Sequence, residues 1–239
     1  MIQCDSKFTQ SLLAQNFRNQ WCDKTYVCPG YVDTIKFFKE HISRLDARKK
    51  LGHPCWQTED VCFFTLRRHA PRMGIENFIR AYHWVRPRLN SDINFRIIVG
   101  GKGPLTGQLH ELVESLNLRN NVFFTGEIPN EEIVLHYRAA DCFVLPSFSM
   151  ECFGLIILEA FASGTPVIAT PVGAIPETLG PFAAESLSEA TEPESIGRKM
   201  LEFLQDRRSQ RSELDYREFA SRFEKKLILN HLEKIVVEA

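Results

Sequence analysis

The chain has 239 residues, of which 44% are hydrophobic and 25% charged, with a formal net charge of −1. That composition can bury an ordinary globular core, and it supplies no global basic field for nucleic acid or an anionic membrane, so an anion must be held by a local constellation. The seven cysteines show no C-x-x-C spacing, which excludes the usual zinc arrangements and fits free thiols in a reducing, cytoplasmic setting.

The opening MIQCDSKFTQ lacks a basic stretch followed by an apolar run, so it does not read as a signal peptide. No run approaches the roughly twenty apolar residues of a membrane-spanning helix. SKFTQSLLAQNF (6–17) predicts a short amphipathic helix capped by Ser6, and TYVC (25–28) a short strand ended by Pro29-Gly30. The mixed charge of 34–51 predicts a linker and a short helix.

A clear rhythm begins near Asp60. VCFFTL (61–66), FRIIVG (95–100), NVFFTG (121–126), DCFVLPS (141–147) and PVIAT (166–170) predict strands. Helices are expected over 75–85, 105–116, 130–139 and 153–163, with a short PETL segment at 176–179. Beyond Glu192 the chain reads as helical, and Leu227, Leu229, Leu232, Ile235 and Val236 form an apolar stripe on the last helix. Strands that are continuous apolar runs, each followed by a helix, predict a parallel sheet covered on both faces. Ligands of such sheets bind outside the carboxyl ends of the strands.

Four constellations lie just after strands. ECFGLIILEAFASG (151–164) brackets a helix start with Glu151 and Glu159, and Gly154 lets a ligand approach the amides of Phe153, Gly154 and Leu155. From Phe153 to Glu159 the helix axis advances roughly 9 Å, too far for a shared proton but suited to a diphosphate with a hydroxylated ring at each end. TLRRHAPRMG (65–74) clusters Arg67, Arg68 and Arg72, a residue type matched to phosphate. VGGKGP (99–104) offers Gly101 and Lys102, and TPVGAIPE (170–177) offers Gly173. Taken singly, these read as a helix-start carboxylate, a solvated glutamate, a basic loop and plain turns. Their convergence on one sheet edge points to a phosphate-rich ligand. His69 reads as a loop residue rather than a base.

The run DCFVLPSFSMECFGLIILEAFASGTPVIATPVGAIPE resembles the signature of the family four glycosyltransferases, which have the GT-B fold. The resemblance extends from about Asp60 to Val236, and more weakly back to PGYVDTIKF (29–37). It implies an α/β, Rossmann-like parallel sheet with helices on both faces, the C-terminal half of a GT-B fold. The expected division is 1–57 as a remnant of the N-terminal half plus hinge, 58–222 as the nucleotide-sugar-binding domain, and 223–239 as a crossover helix. Carried over, Glu151 contacts the transferred sugar, Glu159 the ribose, and the amides of Phe153, Gly154 and Leu155 the phosphates. Arg68 matches the family's arginine and, with Glu151, is the expected catalytic pair. The family's lysine falls at Met73, with Arg72 its candidate replacement. Gly173 stands in the usual Gly-Gly position, and backbone near Ile128 reads the base.

The implied activity is retaining transfer of a hexosyl unit from a nucleotide sugar to a hydroxyl on a sugar or lipid-linked acceptor. The resemblance thus points to polysaccharide or glycolipid synthesis. No D-x-D occurs, so no metal and no cofactor beyond the donor is expected. Nucleic acid is not an expected partner; peripheral membrane contact and a partner chain supplying the N-terminal half stay open. The alternatives are a non-catalytic nucleotide-sugar-binding module and an interaction domain with a decayed site. Residues 6–17 are expected to lie against 223–236, and the chain by itself to bind donor but transfer little.

Overall fold

The computed structural model describes residues 2–17, 24–38, 42–56, 60–89, 93–206 and 211–238; Cys22 lies outside them. The chain opens with β1 (Ile2–Cys4), α1 (Lys7–Asn16) and β2 (Thr25–Val27), and the two strands pair in parallel. Two helices follow, α2 (Thr34–Phe38) and α3 (Arg44–Leu51), where one short helix was expected. The main body runs β3 (Val61–Leu66), α4 (Ile75–Val85), β4 (Phe95–Gly100), α5 (Thr106–Ser115), β5 (Val122–Gly126), α6 (Ile133–Ala139), β6 (Cys142–Leu145), α7 (Leu155–Ala162), β7 (Val167–Ala169) and α8 (Ile175–Ala183). It ends with α9 (Pro193–Gln205), α10 (Glu213–Ser221) and α11 (Lys225–Glu238).

The second sheet has the order β5-β4-β3-β6-β7, and every pairing in it is parallel. Successive strand residues point to opposite faces, which explains the unbroken apolar runs. Phe64, Ile98, Phe143 and Leu145 enter one core beneath α6, α7 and α10. Phe63, Ile97, Val99 and Val144 enter the other, beneath α4, α5 and α9. Each fully buried Phe or Ile contributes roughly 1.5–3 kcal/mol relative to exposure, so both faces need their helices.

The stretch 34–51 gains its order from a distant carboxylate. Arg44 and Arg48, four apart on one face of α3, both pair with Asp141, at 3.0 and 2.7 Å. Asp141 also accepts from the Cys62 amide at 2.8 Å. This anchor pins α3 to the amino end of β6.

Two helix starts come later than the sequence predicts. A turn closed by Glu132 N donating to the Pro129 carbonyl delays α6, and the left-handed Gly154 delays α7 to Leu155. In contrast, α8 is a full helix: Pro176 sits in its first turn, where no N–H is needed, and the helix runs on through Pro181 to Ala183.

The ends of the chain are arranged differently from expectation. Ser6 caps α1 with Thr9 as its capping-box partner, but the helix is fastened to the sheet edge, not to α11. The Ser6 hydroxyl donates to the Cys152 carbonyl at 2.7 Å, and the amides of Lys7 and Phe8 donate to the Glu177 carboxylate at 2.9 and 2.6 Å. Unsatisfied amides at a helix start seek a carboxylate, and Glu177 on α8 supplies one. On α11, Ile228 is buried, whereas Leu227, Leu229, Val236 and Val237 are exposed. The start of α11 is tied instead to the segment before α2, through Val32 N donating to the Phe223 carbonyl at 2.9 Å. No helix among the described residues is long and apolar enough to cross a membrane.

Candidate functional site

Strand β3 has β4 on one side and β6 on the other. The loops that leave β3 and β6 therefore diverge and open a crevice at their carboxyl ends, the place where doubly wound sheets bind ligands. The β3–β4 ladder continues one residue past Leu66, with Arg67 N donating to the Gly100 carbonyl at 3.1 Å. Arg67 thus keeps the parity of Phe63 and Thr65 and enters the crevice, while Arg68 is exposed.

The Arg67 guanidinium donates to Glu151 Oε2 at 2.7 Å, and the Ser147 hydroxyl lies 2.9 Å from the same oxygen. The side chains of Arg67 and Glu151 are only 10% and 14% exposed. Arg67 also lies 2.9 Å from Met73 Sδ, and its Nε is buried without a partner among the described residues. The cation beside Met73, where the resemblance expects a lysine, is therefore Arg67. Arg72, the candidate replacement, instead donates to the Met150 carbonyl at 3.0 Å. The sequence named Arg67 only as a member of the basic cluster and expected Arg68 beside Glu151; the register of one strand end places Arg67 against Glu151 and leaves Arg68 exposed.

Close backbone approach frames this unit. A Cβ on Gly101, whose φ is +100°, would stand 2.1 Å from the Arg67 carbonyl oxygen. One on Gly173, whose φ is +60°, would stand 2.2 Å from the Glu151 carbonyl oxygen. Both glycines are therefore required by the fold of the crevice, whatever they touch in a ligand. Ala174 N donates to the Glu151 carbonyl at 2.9 Å and fixes the backbone of that residue.

Helix α7 begins at Leu155, after Gly154 in the left-handed conformation. The amide of Ile157 turns back to the Gly154 carbonyl at 2.8 Å. Phe153 precedes the helix with its side chain in the core against Phe223, so only its backbone can face a ligand. Glu159, one turn further along α7, accepts from the Tyr137 hydroxyl at 2.9 Å. Burial raises the Glu159 carboxyl above its ordinary range, and the Tyr137 hydroxyl partly offsets this. Tyr137 was not anticipated; its signal is a phenol close behind the apolar run IVL (133–135), which needs a polar partner once buried.

Beside Arg67 lies a cleft of about 490 Å³ that brings together Arg68, Gly101, Lys102 and Ile128, with Glu127 across from Lys102. Lys102 and Glu127 form an exposed ion pair at its mouth. His69 is fully buried, its Nδ1 2.8 Å from Thr106 Oγ1 and its backbone pressed against Gly103. Its burial lowers the imidazole pKa, and it joins two loops as a packing residue. A separate cleft of about 420 Å³ lies at the amino end of β7 among Glu185, Lys199, Glu202 and Arg211, and none of the sequence-predicted site residues lines it.

The family model for glycosyl transferases group 1 matches residues 47–221. GDP-mannose-dependent alpha-(1-6)-phosphatidylinositol monomannoside mannosyltransferases of Mycobacterium tuberculosis and Mycolicibacterium smegmatis are 33% identical over 182 residues and 30% identical over 209. These matches cover 73% and 85% of this chain but 44% and 52% of the relatives, so the chain spans about half their length. An alpha-monoglucosyldiacylglycerol synthase of Streptococcus pneumoniae is 34% identical over 146 residues, 60% of this chain and 32% of that one. Among solved structures, Anabaena HepE in complex with UDP and glucose superposes with a TM-score of 0.85 at 20% identity, over 100% of this chain and 63% of that one. The C-terminal domain of a Francisella tularensis group 1 glycosyl transferase superposes at 0.62 with 25% identity, over 83% of this chain and 97% of that domain. With the parallel sheet, these likenesses establish the C-terminal half of a GT-B fold, and the chain belongs to the glycosyl transferases group 1 family.

Proposed function

We propose that this chain is the donor-binding half of a retaining, metal-independent hexosyltransferase that uses a nucleotide sugar. The observation that carries the reading is the unit of Arg67, Ser147 and Glu151 at the switch point, with the start of α7 beside it and the Glu159–Tyr137 pair one turn beyond. The diphosphate lies over the opening amides of α7, between Arg67 and Arg68. Glu159 accepts from ribose hydroxyls and Glu151 from hydroxyls of the transferred sugar, while the backbone at Ile128 faces the base. Lys102 and the amides near Gly101 and Gly173 flank the phosphates. Arg67 takes the role that the sequence assigns to Arg68, which lies on the cleft wall as an auxiliary charge.

In this mechanism the acceptor hydroxyl attacks on the face from which the diphosphate departs, and the departing phosphate takes its proton. The protein contributes fixed cations and amides where negative charge develops on the leaving group. Arginines in these positions supply that charge directly, which is why no metal is assigned. The GDP-mannose-dependent mannosyltransferases and the alpha-monoglucosyldiacylglycerol synthase among the relatives support a hexosyl donor. Those relatives carry a further half, and we assign acceptor binding to it, so the present chain binds donor and transfers little by itself.

Calorimetry with GDP, UDP and their hexose conjugates in the presence of chelator tests the metal-free reading. Binding that appears only on addition of magnesium or manganese would sink it. Robust transfer to an acceptor by the purified chain alone would sink the division of labour.

A further inference from the structure

The turn from Pro146 to Glu151 presents its carboxylate from a strained backbone. Met150 sits at φ +57°, a left-handed conformation disfavoured by roughly tenfold for a residue with a Cβ. Its side chain is 56% exposed, so burial of that side chain does not offset the strain. The neighbouring loop does. The amides of Phe148 and Ser149 donate to the Arg72 carbonyl at 2.8 and 3.4 Å, and the Arg72 guanidinium donates to the Met150 carbonyl at 3.0 Å. One residue thus holds the turn at three consecutive positions, through its main chain and its side chain.

The next residue is Glu151. Its carbonyl is fixed on the far side by Ala174 N, with Gly173 against it. Relaxation of Met150 to an ordinary φ of about −60° would rotate the peptide that leads into Glu151. The carboxylate would then leave the position where Arg67 and Ser147 meet it. We infer that Arg72 is a positioning residue: it holds Met150 in the left-handed conformation and so aims Glu151 at the transferred sugar. This rests on the role proposed for Glu151 above. It also separates Arg72 from a phosphate-binding role, because a phosphate contact is shared by nucleotide and nucleotide sugar, whereas an aiming role concerns the sugar alone.

The test titrates the full chain with GDP and GDP-mannose and with UDP and UDP-glucose, using whichever pair binds more tightly. R72A should weaken the nucleotide sugar about tenfold and leave the nucleoside diphosphate within about threefold. M150G, which removes the Cβ penalty, should restore R72A to within about threefold of the original affinity for the nucleotide sugar, although it returns no charge. If R72A loses its fold by thermal denaturation, R72M, which keeps the aliphatic stem but has no donor for the Met150 carbonyl, carries the same comparison. Equal losses for both ligands, no loss in R72A, or failure of M150G to rescue a folded R72A would each overturn the inference. E151Q is run in parallel. If E151Q does not discriminate the two ligands, the role of Glu151 itself fails; if it does and R72A does not, only the inference about Arg72 fails. An unaltered chain that binds neither pair overturns both.

Discussion

Arg67 and Glu151 meet at 2.7 Å across the switch-point crevice, with side chains 10% and 14% exposed. Removing one partner from a buried pair leaves an uncompensated charge and costs roughly 3–5 kcal/mol. Arg67→Met should therefore destabilise the chain by about 3 kcal/mol. Glu151→Gln should cost less, because an amide oxygen still accepts from Arg67 and Ser147. The double variant R67M/E151M should be more stable than R67M alone, since it buries no orphan. Urea denaturation reads all three, and an R67M midpoint equal to that of the unaltered chain would contradict the pairing.

Glu159 gives a pH signature. Burial raises its carboxyl pKa, and the Tyr137 hydroxyl, donating at 2.9 Å, holds it down. An ionised carboxylate accepts from ribose, so affinity for a nucleotide sugar should fall as pH drops through this raised value, earlier than for an ordinary glutamate near 4.5. Tyr137→Phe removes the donor and should move the fall to still higher pH. Glu159→Gln should abolish the fall and weaken binding by about 1.5–3 kcal/mol. A nucleotide sugar rather than a free diphosphate is the ligand of choice, because it lacks the terminal phosphate that titrates near neutrality. A pH profile identical in the unaltered chain and E159Q would refute the assignment.

His136 makes the fold acid-sensitive. It is packed between Trp56 and Phe64, with ring centroids 5.6 Å away in each case, and burial lowers its pKa to about 4. The unfolded chain takes up a proton near pH 6.5 that the folded chain refuses. The stability contributed by the neutral imidazole is thus fully present above pH 6.5 and is lost progressively as pH falls to about 4. At about 1.4 kcal/mol per unit, the loss reaches on the order of 3 kcal/mol. His69, also lowered by burial, acts in the same direction. His136→Phe should flatten the dependence between pH 6.5 and 4 in denaturation measurements, and an unchanged slope would show that other groups carry it.

What was legible in the sequence was whatever depends on near neighbours. Val61–Leu66, Phe95–Gly100 and Ile75–Val85 match the expected spans residue for residue, because parallel strands buried on both faces and a strongly amphipathic helix leave unmistakable patterns. β1, only three residues long, leaves none. The helix α3 reads as mixed charge until Asp141, about ninety positions away, is placed between Arg44 and Arg48. The spacing of Glu151 and Glu159 locates the candidate site because it is local to one helix start. Which of Arg67 and Arg68 meets Glu151 is not local: it turns on the amide of Arg67 finding the Gly100 carbonyl. Tyr137 and the role of Glu177 at the start of α1 escaped notice for the same reason, since their partners lie 22 and about 170 residues away.

Glu177 leads to the final prediction. The carboxylate accepts from the first two amides of α1, Lys7 and Phe8, while Ser6 caps the same helix and reaches the Cys152 carbonyl. None of the residues of α1 is buried, so packing contributes little to holding this ten-residue helix. Isolated helices of that length are marginal in water, and α1 depends on its start. Glu177→Ala removes a charge from the positive end of the helix and should cost about 1 kcal/mol, most of it local. Ser6→Ala should cost a similar amount, again about 1 kcal/mol, and should also free the Cys152 carbonyl, two positions before Gly154. Hydrogen exchange distinguishes the two effects. E177A should accelerate exchange across 7–16 and leave 153–157 unchanged, whereas S6A should accelerate both. The main sheet should keep its protection in either variant, since β3 to β7 are buried by other helices. Unchanged exchange across 7–16 in E177A would mean that α1 is held by its contacts with β1 and β2. Loss of protection at 153–157 in E177A would instead mean that the α1 latch and the start of α7 open as one unit.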